Sequence, residues 1–181
     1  MTTSTYRGIA PQLGQRVYID PAAVVIGQVT IGEDSSVWPT AVVRGDVNRI
    51  TIGARTSIQD GSVLHVTHDS VYRPGGRELI VGDDVTIGHR VVLHACTIGN
   101  RCLIGMGSIL LDDVIVEDRV MIGAGALVSP GRRLESGGLY VGSPARRARE
   151  LKLGEIDFFT YSAAHYVKLK DEYLAASVAR S

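Results

Sequence analysis

Aromatic residues are scarce in this 181-residue chain: two Phe, one Trp and seven Tyr. Apolar burial must therefore come mainly from aliphatic side chains. Neither sign of charge dominates, with 19 Lys and Arg against 19 Asp and Glu. That balance gives no electrostatic footprint for nucleic acid or an acidic membrane. Cys96 and Cys102 are the only cysteines, which excludes a disulfide-built fold. The N-terminal stretch MTTSTYRGIAPQLGQ has no apolar segment of signal-peptide length, and no run could span a bilayer. The two thiols are accordingly expected to be reduced in a cytoplasmic protein. The length suits one domain with a small appendage.

Glycine, in contrast, is plentiful, and a six-residue repeat runs through most of the chain. Aliphatic residues recur at Ile19, Val25, Ile31, Val37 and Val43, then at Ile52, Ile58 and Leu64, then at Val81, Ile87 and Leu93. After a contraction by one residue they continue at Ile98, Ile104, Leu110, Val116, Ile122 and Val128. Glycine often follows, as in IGED, IGAR, VGDD, IGHR and IGNR, and a small or short residue often stands four places on. This period is neither helical nor that of a hairpin. A hexad makes one short strand and a tight turn, with small residues at corners that turn sharply or take positive φ. Three hexads close a triangular coil, and each coil buries its aliphatic residues only when another stacks on it at ~4.8 Å.

The pattern resembles the hexapeptide-repeat proteins over roughly residues 13–143, and that resemblance implies an all-β, left-handed parallel β-helix. Two places break the count. Three residues are added near Ile50, and HVTHDSVYRPGGRELI reads as a loop extruded at about residues 66–80. Beyond residue 143 the hexads stop. Ser143 is expected to cap a helix with Pro144 in its first turn, and Gly154 to interrupt it. From Glu155 the spacing predicts about twenty helical residues packed along the coils, with His165 among them as an ordinary helical histidine. The expected units are thus a β-helix over 1–143 and a helical segment over 144–181.

Stacking assigns faces. Val43, Leu64, Leu93 and Leu110 fall on one, and Val37, Ile58, Ile87 and Ile104 on another. Arg44, His65 and His94 follow the first set and should lie one above another. Two zinc–nitrogen bonds at a tetrahedral angle separate their nitrogens by about 3.3 Å, within reach of side chains on neighbouring rungs. His65 and His94 are therefore candidate metal ligands. His89 falls on the second face, over Asp60, away from His94. A neighbouring chain could supply it, which predicts a cyclic homotrimer with metal sites between subunits. Cys96 reads as a small residue near a corner rather than a further ligand, and Cys102 as packing.

The segments AVVRGD, SIQDGSVLH and TIGHRVVLH together resemble the γ-class carbonic anhydrases. The resemblance implies a metal held by His65 and His94 of one subunit and His89 of the next, usually zinc, with iron or cobalt as substitutes. It implies CO2 and bicarbonate as substrate and product, interconverted by a metal-bound hydroxide. It further implies that Gln59 orients the reacting water, that Arg44, Asp46 and Asp60 form interface ion pairs with Asp60 reaching Arg44, and that Tyr140 lies near the bicarbonate pocket. Proton-shuttling glutamates of active members correspond here to Val47 and approximately to His68, an imidazole that can titrate near neutrality. Val47 cannot carry protons, so weak activity is expected. Rival readings are an acyl-CoA-dependent acyltransferase with a histidine base, a metal-assisted acyl-thioester hydrolase, and a non-catalytic trimeric scaffold stapled by metal.

Overall fold

The computed structural model describes residues 3–178. Short parallel strands stack into a solenoid, followed by one helix, α1 (Leu153–Val178). One face of the coil is a column of seven parallel strands, from Tyr18–Ile19 through Ser36–Val37, Ser57–Ile58, Thr86–Ile87, Leu103–Ile104 and Met121–Ile122 to Gly138–Gly142. The other two faces are joined by the long strands Val24–Ile31 and Val42–Ile52. From Val42–Ile52 one branch continues through Val63–His65, Val92–His94, Ile109–Leu110 and Leu127–Val128. The other continues through Leu79–Val81, Thr97–Ile98, Ile115–Val116 and Arg133–Leu134.

The hexad aliphatics fill the interior. Val43, Leu64, Leu93, Leu110 and Val128 stack in register, as do Val37, Ile58, Ile87, Ile104 and Ile122. All are at most 1% exposed. Each such burial is worth about 1.5–3 kcal/mol against full exposure, so stability accumulates rung by rung.

The corners differ from expectation in an instructive way. The glycines after the aliphatic residues do not supply the positive φ of these turns. They are needed because rungs approach closely: a Cβ on Gly32 would lie 2.5 Å from the carbonyl carbon of Gly53. Positive φ falls two residues later, on Asp34, Arg55, Asp84, Arg90 and Arg101, with φ between 52° and 57°. The small corner residues point inward and serve as caps. Ser35, Thr56, Ser62 and Ser108 each donate to a turn carbonyl of a neighbouring coil, those of Gly53, Gly82, Gly88 and Gly123, at 2.8–3.0 Å. A buried carbonyl is thereby satisfied where the strand ladder stops. Cys102 occupies the same place and donates to Glu117 O at 3.1 Å. Cys96 and Cys102 are both free and buried, and burial pushes both thiols up, Cys102 to about 12.

No helix starts at Ser143. After the Ser143–Pro144 bond, Ala145–Glu150 returns as a strand antiparallel to Gly138–Gly142, with Tyr140 opposite Arg147. Pairing with the last rung covers an edge that would otherwise be open. The helix begins at Leu153, with Gly154 inside its first turn rather than interrupting it. Its start is secured by Glu155, which accepts from the Lys152 N–H and from Arg149. These hydrogen bonds, Arg149's foremost, lower the Glu155 carboxyl to about 2.

α1 lies on the seven-strand face. Phe159 and Ala163 are buried, Thr86 and Ser162 share a hydroxyl hydrogen bond at 2.8 Å, and Tyr18, Trp38, Tyr166 and Tyr173 form an aromatic cluster. Lys170, fully buried, reaches Asp34 at 2.8 Å and Asp171 at 2.6 Å, while Arg16 bonds both carboxylates. His165 is exposed and stacked on Tyr161, as an ordinary helical histidine.

Candidate metal centre

Parallel register places His94 directly beside His65 on the next rung. Their rings face each other with His65 Nδ1 3.3 Å from His94 Nε2. Each ring's other nitrogen is held by a carboxylate. Asp46 Oδ1 lies 3.1 Å from His65 Nε2, and Asp112 Oδ1 lies 2.6 Å from His94 Nδ1. The carboxylates are anchored in turn, Asp46 by Arg44 at 2.5 Å and Asp112 by the Thr67 hydroxyl at 2.5 Å.

These contacts decide the tautomers. A carboxylate accepts only, so each ring carries its proton on the nitrogen facing the carboxylate. The two nitrogens left unprotonated then lie 3.3 Å apart. Ligand nitrogens on a tetrahedral zinc lie about that far apart. Burial lowers the His65 pKa below the usual imidazole value, aided by Arg44 and His94 and opposed by Asp46. A neutral ring is the form a metal needs. Burial alone would raise Asp46 and Asp112, but hydrogen bonds from Arg44 and His65 in one case, and from Thr67 and His94 in the other, hold both below the usual carboxylate range.

Among the described residues, no group of three His, Cys, Asp or Glu side chains is arranged to hold a metal ion. His89 sits on the seven-strand face, about half exposed, with Nδ1 3.0 Å from Asp60 Oδ2. Gln59, buried and hydrogen-bonded to Tyr166, lies on the same side. Both line a cavity of about 470 Å³ between the sheet and α1, together with Met106, Phe158, Tyr161 and His165. The structure therefore divides the expected residues into two sets: Arg44, Asp46, His65 and His94 on one face, and Gln59, Asp60 and His89 on another. Inside the chain Arg44 bonds Asp46, and Asp60 bonds His89.

Tyr140 joins neither set, against expectation. It lies three rungs below the strand preceding His89, ~14 Å along the axis at ~4.8 Å per rung. It is 4% exposed, and its hydroxyl accepts from the Glu135 N–H at 2.7 Å and donates to Glu135 O. It packs beneath Ile122 in the core. His68 is exposed on the loop just after His65, with no side-chain hydrogen bond or ion pair among the described residues. Asp112 and Thr67 escaped the sequence reading. Asp112 stands eighteen residues after His94, one place past the position level with it on the next rung.

A second feature escaped it. On the face bearing His65 and His94, the outward residues Val24, Val42, Val63, Val92, Ile109 and Leu127 form a continuous ladder in register. Val24, Val63 and Ile109 are 38–40% exposed. Every rung is aliphatic, so the exposed apolar atoms form one stripe rather than scattered points.

The fold is that of a parallel β-solenoid with two histidines side by side on neighbouring rungs, and the comparisons place it in a family. The family model "Bacterial transferase hexapeptide (six repeats)" matches residues 10–45 and 95–130. The chain is 61% identical over 169 residues to Protein YrdA of Escherichia coli K12, covering 93% of this chain and 92% of YrdA. It is 44% identical to mitochondrial gamma carbonic anhydrase 1 of Arabidopsis thaliana, covering 92% of this chain but 60% of that one. The crystal structure of a hexapeptide transferase family protein from Anaplasma phagocytophilum superposes with a TM-score of 0.88 at 38% identity, covering 95% of this chain and 98% of that one. The protein belongs to the hexapeptide-repeat family, among its γ-carbonic-anhydrase-like members.

Proposed function

We propose that the protein is a γ-carbonic-anhydrase-like metalloenzyme that interconverts CO2 and bicarbonate as a homotrimer. His65 and His94 of one chain and His89 of the next would hold the metal, zinc or alternatively iron or cobalt. The observation that carries this reading is the approach of His65 Nδ1 and His94 Nε2 to 3.3 Å, each imidazole held at its other nitrogen by a carboxylate. Homology to a plant gamma carbonic anhydrase supports it. So does the bare aliphatic ladder beside the half-site, which gives a neighbouring chain a surface to dock on.

When bound, the metal supplies a Lewis acid that makes water nucleophilic near neutral pH. The chain's own residues do the rest. Asp46 and Asp112 set ring orientation and tautomer. His89 arrives from the partner with Gln59 beside it, and Gln59 is positioned to accept a hydrogen bond from the reacting water. The proton must leave for solvent, and His68 is the exposed imidazole nearest in sequence to the ligands. Val47, 41% exposed, offers no second carrier, so turnover should be limited by proton release.

The test is metal analysis of anaerobically purified protein with stopped-flow CO2 hydration on the same sample. Metal near one per chain, lost in His94→Ala, and hydration above background are expected. Background hydration in metal-loaded, intact trimers would overturn the carbonic anhydrase reading. A second reading, acyl transfer or thioester hydrolysis, is favoured by the apolar cavity beside His89 and by the hexapeptide transferase relative. Turnover of an acyl-CoA, by metal-free protein for acyl transfer or only by metal-loaded protein for thioester hydrolysis, would establish it instead.

A further inference from the structure

The loop between Val66 and Glu78 is extruded, with Val71 and Tyr72 at its tip 89% and 91% exposed. Such a segment usually moves independently of its scaffold. Here it is tied down at its base by two consecutive residues, Asp112 and Asp113. Thr67, at the start of the loop, donates to Asp112 Oδ2, while Asp112 Oδ1 takes the His94 ring. Arg73 and Arg77, on the returning limb of the loop, both bind Asp113, Arg77 at 2.9 Å. Asp113 has φ of 60°, and its N–H bonds Ala95 O, so the pair is locked to the turn that follows His94. One carboxylate thus faces the histidine and the other faces the loop.

We propose that Asp112–Asp113 couples the loop to the metal centre. Thr67 and Asp112 are positioning residues for His94, and the Arg73/Arg77–Asp113 contacts form a latch that holds Thr67 against Asp112. With the latch closed, Asp112 is gripped from both sides and the His94 lone pair stays aimed at His65. With it open, Thr67 withdraws, Asp112 gains freedom, and the ring can turn. Coupling of this kind is reciprocal: metal bound at the histidines must hold the loop closed as strongly as the closed loop favours metal. The inference rests on the metal-centre reading and goes beyond it, because Asp113, Arg73 and Arg77 contact none of the proposed ligands.

The test measures zinc affinity by competition with a chromogenic chelator, and amide exchange of residues 66–78 with and without zinc. Asp112→Ala should weaken zinc binding by about 10–100-fold, as removing such a partner commonly does. Asp113→Asn, which leaves the His94 contacts in place, should weaken it about 5-fold, at the low end of usual coupling strengths. Zinc should slow exchange across the loop in the native chain and do so less in Asp113→Asn. Arg77→Lys, which keeps a cation opposite Asp113, should recover part of the affinity that Arg77→Ala loses. Cobalt-loaded protein gives an independent readout, since a displaced His94 changes the visible ligand-field spectrum in Asp112→Ala. If the native chain binds zinc tightly but neither Asp113→Asn affinity nor loop exchange changes, the coupling is refuted while the metal centre stands. If the native chain binds no zinc, the metal-centre reading itself falls, and the coupling with it.

Discussion

Two faces of the same coil meet opposite fates. The face carrying Ser36, Ser57 and Thr86 presents small polar residues outward and is covered by α1, through Ser162, an aromatic cluster and the buried Lys170. The face carrying Val24, Val42, Val63, Val92, Ile109 and Leu127 presents aliphatic residues outward, while α1 packs on the other. The first face is covered within the chain, where Ser36, Ser57 and Thr86 let a helix come close and Leu103 and Met121 beyond them line the cavity under it. The second face is the one on which His65 and His94 lie side by side. The same backbone thus yields one face covered by its own helix and one with an aliphatic ladder turned outward.

The contrast can be broken most severely on the bare face. Val63→Asp should place a charge in the middle of the aliphatic ladder and convert trimers to monomers in sedimentation velocity, with metal content falling because His89 no longer arrives. Thr51→Asp, on the third face, should leave the assembly unchanged. Trimers that persisted in Val63→Asp would remove this ladder from the interface.

On the covered face, Lys170→Met should cost about 2 kcal/mol in urea-monitored unfolding. Breaking a buried ion pair costs more, but Asp34 and Asp171 are partly exposed and keep Arg16. A smaller loss, about 1 kcal/mol, is expected from Ser162→Ala, which leaves Thr86 without its partner.

The mildest perturbation is pH. Hydrogen bonds hold Asp171 below the usual carboxylate range, Lys170's being the largest, and hold Asp34 there against the opposing effect of burial. Groups lowered in the folded state stabilise it above their unfolded pKa, and that contribution is lost as pH falls through the folded value. The contact of α1 with the coil should therefore hold down to about pH 4 and weaken gradually below it, read as a change in Trp38 fluorescence. Loosening that began near pH 6 would point to a histidine instead.

Much of the coil was legible in the linear chain. The six-residue period of aliphatics identifies the solenoid, and counting three hexads per coil puts His94 beside His65, as the strand register shows. The bare ladder was legible too, since each of its residues precedes a hexad aliphatic, but the period draws attention to the buried position. What failed did so for local reasons. Ser143 and Pro144 carry a helix-start signal, yet Ala145–Glu150 pairs with the last rung. ARRARE shows no strand alternation, so only the edge it covers explains it. The family resemblance puts Tyr140 near the bicarbonate pocket, and a packing tyrosine suits the position equally; within the chain its hydroxyl is used by Glu135 and its ring fills the end of the core. Among the described residues no helix is long and apolar enough to cross a membrane.

The sequence by itself determined the repeat, the inward aliphatics and the histidines brought into register, because a period of six admits few ways to bury its apolar residues. Only the tertiary structure decided which nitrogens face each other and which carboxylates stand behind them. It also decided that α1 covers one face while another stays bare. Those outcomes depend on contacts between residues a coil or more apart, such as Asp112 with His94 and Lys170 with Asp34. Directional hydrogen bonds at such separations leave no period in the chain to read.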